Sequence, residues 1–195
     1  MERNQLSHNV ERLKQSLGLL PEAVANPAFV IVSGLPGTGK SFFCRKLAER
    51  SPFCILESDA MRKILFSLPD YSAEENACLF AACHCLAEEL LERGVPLIFD
   101  ATNVSERHRE RLYRISDRTG AKLILVRVDA PTMVVYQRLQ GRNEGIDSED
   151  KSDADWEVYR RMRRGVDEIQ RNHFTVDTSR DIAPVIYKVI REINH

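Results

Sequence analysis

The sequence predicts an α/β protein whose parallel sheet is covered by helices on both faces. Three observations carry that expectation. Five short strand-like runs, AFVIVS (28–33), FCILES (53–58), VPLIFD (95–100), AKLILVRV (121–128) and HFTVD (173–177), alternate with longer segments of helical character. The first four runs are nearly continuous in apolar residues, as strands buried on both sides require, and this alternation builds parallel sheets. The 195 residues contain no internal repeat, low-complexity tract or Pro/Gly-rich linker, so one domain with a small appendage is expected.

The chain opens on Leu6, Val10, Leu13 and Leu17, spaced four, three and four apart, which predicts one apolar face of a helix over 5–17. Gly18 and Pro21 end it. Such a helix is expected to pack on its own domain, as an appendage spanning 1–27 ahead of a core domain spanning 28–195. Further helices are expected at 40–50, 73–93, 105–118, 131–142, 153–171 and 181–193. GRNEGIDSEDKSD (141–153) is polar and weakly structured, a candidate mobile lid. Ser152 is expected to cap the helix after it, with Asp155 as an acid of its first turn. Trp156 and Tyr159, three apart, read as packing residues.

Composition narrows the function. A content of 43% hydrophobic and 29% charged residues is that of a globular protein, and the net charge of -1 is not the footprint of a chain that holds long nucleic acid by charge alone. No apolar run approaches the roughly 20 residues of a membrane-spanning helix, and the polar N-terminus does not resemble a signal peptide, so a cytoplasmic protein is expected. Five cysteines without paired spacing suit reduced thiols. On a helix Cys83 and Cys85 point about 200° apart, so CHC (83–85) is not a metal pair.

The strongest chemical signal is GLPGTGKS, Gly34 to Ser41, directly after the first strand. Gly34, Gly37 and Gly39 let the backbone wrap closely and aim its N–H groups at phosphate oxygens. Lys40 reaches the β- and γ-phosphates, Ser41 offers its hydroxyl to Mg²⁺, and the helix beginning there adds its positive end. Gly34, Leu35, Pro36, Gly37, Thr38, Gly39, Lys40, Ser41 and the flanking Phe42 are therefore the candidate nucleotide contacts. Asp100, at the end of the third strand, is the candidate carboxylate on the metal side. No acid follows it to polarise a water: Ala101, Thr102 and Asn103 come next. Asp59, just past the second strand, should face the same crevice, where it can take the proton of an attacking acceptor hydroxyl. Arg62, three residues on, can hold a phosphate on the acceptor or orient the acceptor itself. Arg138 and Arg142, four apart beside the polar insertion, are placed to bring positive charge over the transferring group.

Taken together, GLPGTGKS, SDAMR (58–62), IFDATN (98–103), QRLQGR (137–142), KSDADWEVYRRM (151–162) and VDTS (176–179) resemble the small P-loop kinases grouped with phage polynucleotide kinase and the zeta-toxin-like kinases. The resemblance runs from about residue 28 to 190. It implies a three-layer P-loop NTPase fold, with a five-stranded parallel sheet and a helical lid, that uses ATP and Mg²⁺. It implies Asp59 as general base, Arg62 as acceptor contact and Arg138 with Arg142 as lid residues. It further implies Asp100, Thr102 and Asn103 on the acceptor and magnesium side, and VDTS near the adenine. The phage enzyme carries a fused phosphatase for which this sequence has no room, which argues against an end-repair role.

Arg107, Arg111, Arg114 and Arg118 form a basic stripe, but Glu106, Glu110 and Asp117 interleave with it, as on a solvated helix face. Acids at Asp147, Glu149, Asp150, Asp153 and Asp155 also disfavour a long polyanion. The expected function is transfer of the ATP γ-phosphate to a hydroxyl of a small molecule or of a nucleic-acid 5′ end. The alternative is a nucleotide-dependent ATPase switch acting on a protein partner.

Overall fold

Strands that are apolar on both faces have to lie between two layers of helices. In the computed structural model, which describes residues 3–143 and 154–195, they do. Strands β1 (Ala28–Ser33), β2 (Cys54–Glu57), β3 (Leu97–Asp100), β4 (Lys122–Asp129) and β5 (Phe174–Asp177) form one parallel sheet in the order β2-β3-β1-β4-β5. The chain leaves β1 toward β2 on one side and leaves β3 toward β4 on the other. The crevice where the winding direction reverses therefore opens at the carboxyl ends of β1 and β3, the position where open α/β sheets bind ligands. Register puts Val32 of β1 beside Asp100 of β3.

Alternation along the strands splits the core. Phe29, Ile31, Leu97 and Phe99 face one layer, made by α1 (Arg3–Gln15), α3 (Ser58–Leu65), α4 (Ala73–Glu92) and α5 (Glu106–Thr119). Val30, Val32, Ile98 and Val126 face the other, made by α2 (Lys40–Ala48) and α8 (Ala183–Asn194). A smaller cluster of Val135, Leu139 and Tyr159 joins α6 (Thr132–Asn143) to α7 (Trp156–Arg163). Trp156 stacks on Tyr159 there, with ring centroids 4.9 Å apart, so both are packing residues.

The N-terminal helix packs on the domain. Val10 and Leu13 enter the core, Lys14 pairs with Glu89 at 2.7 Å, and Arg12 donates to the carbonyls of Ile64 and Leu65 at the end of α3. The stripe arginines 107, 111, 114 and 118 are exposed, and Arg118 is engaged by Glu88. Among the described residues no helix is long and apolar enough to cross a membrane.

Two local expectations need correction. Asp155 is itself the N-cap of α7, accepting from the Val158 N–H at 2.9 Å, rather than an acid of the first turn. The helix expected to run to 171 stops at Arg163, because tertiary hydrogen bonds claim the backbone beyond Gly165. The Asp167 N–H donates to the Val104 carbonyl at 2.9 Å, and the fully buried Arg109 donates to the carbonyls of Asp167 and Glu168 at 2.9 and 2.8 Å. Of the candidate lid, residues 144–153 lie outside the described residues.

Candidate active site

The turn after β1 closes only with glycine at defined positions. A Cβ on Gly34 would stand 2.3 Å from the Val128 carbonyl oxygen. Gly37 and Gly39 adopt φ 77° and 88°, the left-handed region that other residues avoid. Gly39 is the N-cap of α2 and has no side chain to cap it, which leaves the first-turn N–H groups for an anion. Lys40 reaches back to the Leu35 carbonyl at 3.1 Å. Leu35 packs toward Val135 and Leu139, and the buried Thr38 hydroxyl donates to the Leu35 carbonyl at 2.7 Å, so these two side chains shape the loop from behind.

A third layer of support comes from VDTS. The Thr178 hydroxyl donates to the Thr38 carbonyl at 2.6 Å. Arg138 donates to the Thr178 hydroxyl and carbonyl at 2.8 and 3.0 Å and to the Gly37 carbonyl at 3.4 Å. Burial lowers the pKa of Arg138, with a smaller opposing pull from Asp177. The backbone of Arg142 closes α6, and its side chain lies outside the described residues.

Asp100 ends β3 and is 2% exposed, with Oδ2 buried and without a hydrogen-bond partner. Burial raises its pKa, while the Lys40 charge and, after it, the neighbouring Ser41 hydroxyl and Cys44 thiol oppose the rise. A buried carboxylate with one unmatched oxygen, beside the motif serine on the same cavity, is the donor set that a hard divalent cation takes, so the residues fit Mg²⁺. The sign of the linkage follows. Below the ordinary carboxylate range Asp100 is protonated in both the folded and unfolded states and costs nothing. Stability falls as pH rises from that range through the raised folded value. Asp100→Asn should therefore raise the melting temperature of the ligand-free protein at neutral pH. It should also abolish the extra stabilisation that Mg²⁺ adds to bound ATP analogue. Thermal melts with and without Mg²⁺ check both; a lower ligand-free melting temperature would contradict the strain assigned to this carboxylate.

The motif and the ends of β2 and β3 open onto one cavity of about 940 Å³. Pro36, Gly37, Gly39, Lys40, Ser41, Phe42, Asp100 and Arg138 line it. Asp59, in the first turn of α3, Thr102 and Arg62 line it as well, and Asp59 is close enough to raise the pKa of Asp100. Thr102 also fixes the loop, its carbonyl accepting from the Gly34 N–H at 2.9 Å. Arg62 is on the wall, but its guanidinium is bound to Glu75 and Asn76 of α4 and stacked against Tyr71. That engagement takes away the phosphate-holding half of what its position suggested. Asn103 needs outright correction. It is buried at φ 44°, and its amide donates to the Val32 carbonyl at 2.8 Å. Its own carbonyl accepts from Ser33 and Arg109 at 2.9 and 2.7 Å. It pins the β3–α5 loop to β1, and it is not among the residues that line the cavity.

A family profile described as an AAA domain matches residues 29–169, which contain all of these elements except α1, β5, Thr178 and α8. The chain belongs to this AAA domain family. Solved structures share the fold of this AAA domain. One is a presumed kinase of Chloroflexus aurantiacus, 24% identical, covering 86% of this chain and 98% of that one with a TM-score of 0.69. The Mycobacterium tuberculosis APS kinase CysC, solved with AMPPNP and APS, is 19% identical and covers 87% and 99% with a TM-score of 0.63. A Sinorhizobium meliloti gluconokinase is 18% identical and covers 86% and 92% with a TM-score of 0.61. No curated protein sequence matches the chain.

The AAA domain also brings to the cavity residues that motif reading did not select. Tyr71, Asn76 and Phe80 come from α4 and the turn before it, Arg45 from α2, and Val158 and Arg161 from α7. Asn76 and Phe80 are one helical turn apart, a spacing that could have flagged a shared face, but nothing local says which way that face points.

Proposed function

We propose that this AAA domain is an ATP-dependent kinase that transfers the γ-phosphoryl group to an acceptor hydroxyl, with Asp59 as general base. One observation carries the reading: a carboxylate on α3 and a phosphate cradle line one cavity roomy enough for two ligands. A hydrolase would instead need a group that activates water beside Asp100, where Ala101 stands. The fold likeness to an APS kinase and a gluconokinase, each named for a small acceptor, agrees with this reading. The finer likeness to polynucleotide-kinase-like and zeta-toxin-like kinases is part of the proposal and rests on SDAMR, IFDATN and VDTS.

The residues then have distinct tasks. The N–H groups of Gly37 to Ser41 and the Lys40 ammonium hold the β- and γ-phosphates, and Arg138, tethered to Thr178, lines the same cavity. Asp100 and Ser41 would hold magnesium, which when bound draws negative charge from the phosphate oxygens. Asp59 accepts the acceptor's hydroxyl proton as that oxygen bonds to the γ-phosphorus. The bond from the γ-phosphorus to the bridging oxygen breaks, and ADP leaves with the electron pair. Positioning and charge stabilisation supply the rate in such transfers.

The test is transfer of labelled γ-phosphate from ATP with Mg²⁺ to pooled 5′-hydroxyl oligonucleotides, nucleosides, sugars, sugar acids and aminoglycosides. Label on one pool establishes the kinase and its substrate class. Release of free phosphate at one rate with and without acceptors would instead favour the ATPase switch.

A further inference from the structure

The part of the cavity lining formed by Arg62, Tyr71, Asn76 and Phe80 is organised around one buried ion pair. Arg62 of α3 donates through Nη1 to Oε1 of Glu75 in the first turn of α4, and the two side chains are 5% and 6% exposed. Nη2 donates to Asn76 Oδ1 at 2.7 Å, and the Tyr71 ring covers the guanidinium, its centroid 4.5 Å from Cζ. Nε is buried without a partner. The Glu75 carboxylate also accepts from the backbone N–H groups of Asp70 at 2.7 Å and Tyr71 at 3.3 Å. Beside this pair lies the Phe80 ring, itself stacked on His108 with centroids 6.5 Å apart and planes 26° from parallel.

The pair carries no net charge. An anionic group brought to this wall would gain Arg62 only by displacing Glu75, and a buried carboxylate stripped of its cation costs several kcal/mol. An uncharged acceptor meets no such penalty: it finds the fixed amide of Asn76 and the apolar face of Phe80. We propose that Glu75, by neutralising Arg62, makes the acceptor site selective for uncharged hydroxyl compounds that present an apolar or ring face to Phe80. This rests on the kinase reading above. Glu75 is a specificity-determining residue, separate from the groups that handle the phosphoryl transfer.

The experiment compares labelled transfer to acceptors matched except for one anionic group: adenosine against adenosine 3′-monophosphate, and methyl glucoside against glucose 1-phosphate. Wild type is compared with Glu75→Gln, which keeps an oxygen for the Asp70 and Tyr71 N–H groups and removes the charge. In wild type kcat/KM should favour the neutral member by about 100-fold, and the variant should lower that ratio by about tenfold or more. Preference of the wild type for the charged member overturns the inference, as does a ratio that the substitution leaves within about twofold. Binding of a nucleotide analogue reports whether the variant is folded. If it is not, the wild-type ratio decides alone, since it needs no substitution. Failure of the kinase reading looks different: no member of any pair is labelled while free phosphate is released, and the selectivity falls with it.

Discussion

Asp59→Asn should lower phosphoryl transfer by about 10²- to 10⁴-fold, the range lost when a general base is removed, with nucleotide binding close to wild type. The substitution is nearly isosteric. The side chain stands in the first turn of α3 and keeps a polar group there, so the helix is not at risk. It removes a negative charge near Asp100, and that charge raises the pKa of Asp100. The variant should therefore bind Mg²⁺ and nucleotide no more weakly than wild type. Only the step in which the acceptor hydroxyl loses its proton should suffer. Single-turnover transfer with a saturating acceptor separates that step from binding. The loss should appear in kcat, with the acceptor KM changed by less than about tenfold. Transfer at the wild-type rate would sink the assignment of the base. A loss confined to KM would make Asp59 a binding residue instead.

The fold was legible because its physics is local. Strands buried on both faces have to be apolar nearly throughout, and the runs at 28–33, 95–100 and 121–128 are. The cradle was legible because its glycines are compulsory: Gly37 and Gly39 sit at positive φ, and Gly34 has a carbonyl where a Cβ would go. The acceptor wall was not legible, because its contacts are long-range. Ser72 and Glu75 fit a capping box, in which the glutamate would turn back to the Ser72 N–H. Ser72 does cap α4, accepting from the Glu75 N–H at 3.1 Å, but Asp70 takes the Ser72 N–H and Glu75 turns to Arg62, thirteen residues away. Asn103 misled for the same reason: its motif position says acceptor, while the packed loop uses its amide on Val32. Arg109 did leave a trace. It shares a helix face with Leu112, Tyr113 and Ser116, all buried, and a cation on an apolar face has to find acceptors inside. Which carbonyls it would take, and so where α7 ends, could not be read from spacing.

Lys40→Ala should be the other severe substitution, and its effect should divide in two. The ammonium is the first side chain of α2 and lines the cradle. A charge-assisted contact is worth about 1.5–3 kcal/mol, so ATP affinity should fall roughly 10- to 100-fold. Loss of charge stabilisation in transfer should lower kcat by about 10²-fold or more. Unchanged affinity and turnover would refute the nucleotide site itself. The second effect is on the ligand-free protein. The Lys40 charge is the largest influence opposing the rise in the pKa of the buried Asp100, so its removal leaves that carboxylate less compensated. The ligand-free variant should melt below wild type, and Lys40→Ala should lower the melting temperature less in the Asp100→Asn background than in wild type. Two groups in one electrostatic network are not additive, whereas two independent residues would be. A double-mutant cycle on melting temperature reads this coupling without any acceptor or turnover. Additive changes in melting temperature would mean that Lys40 and Asp100 do not balance each other.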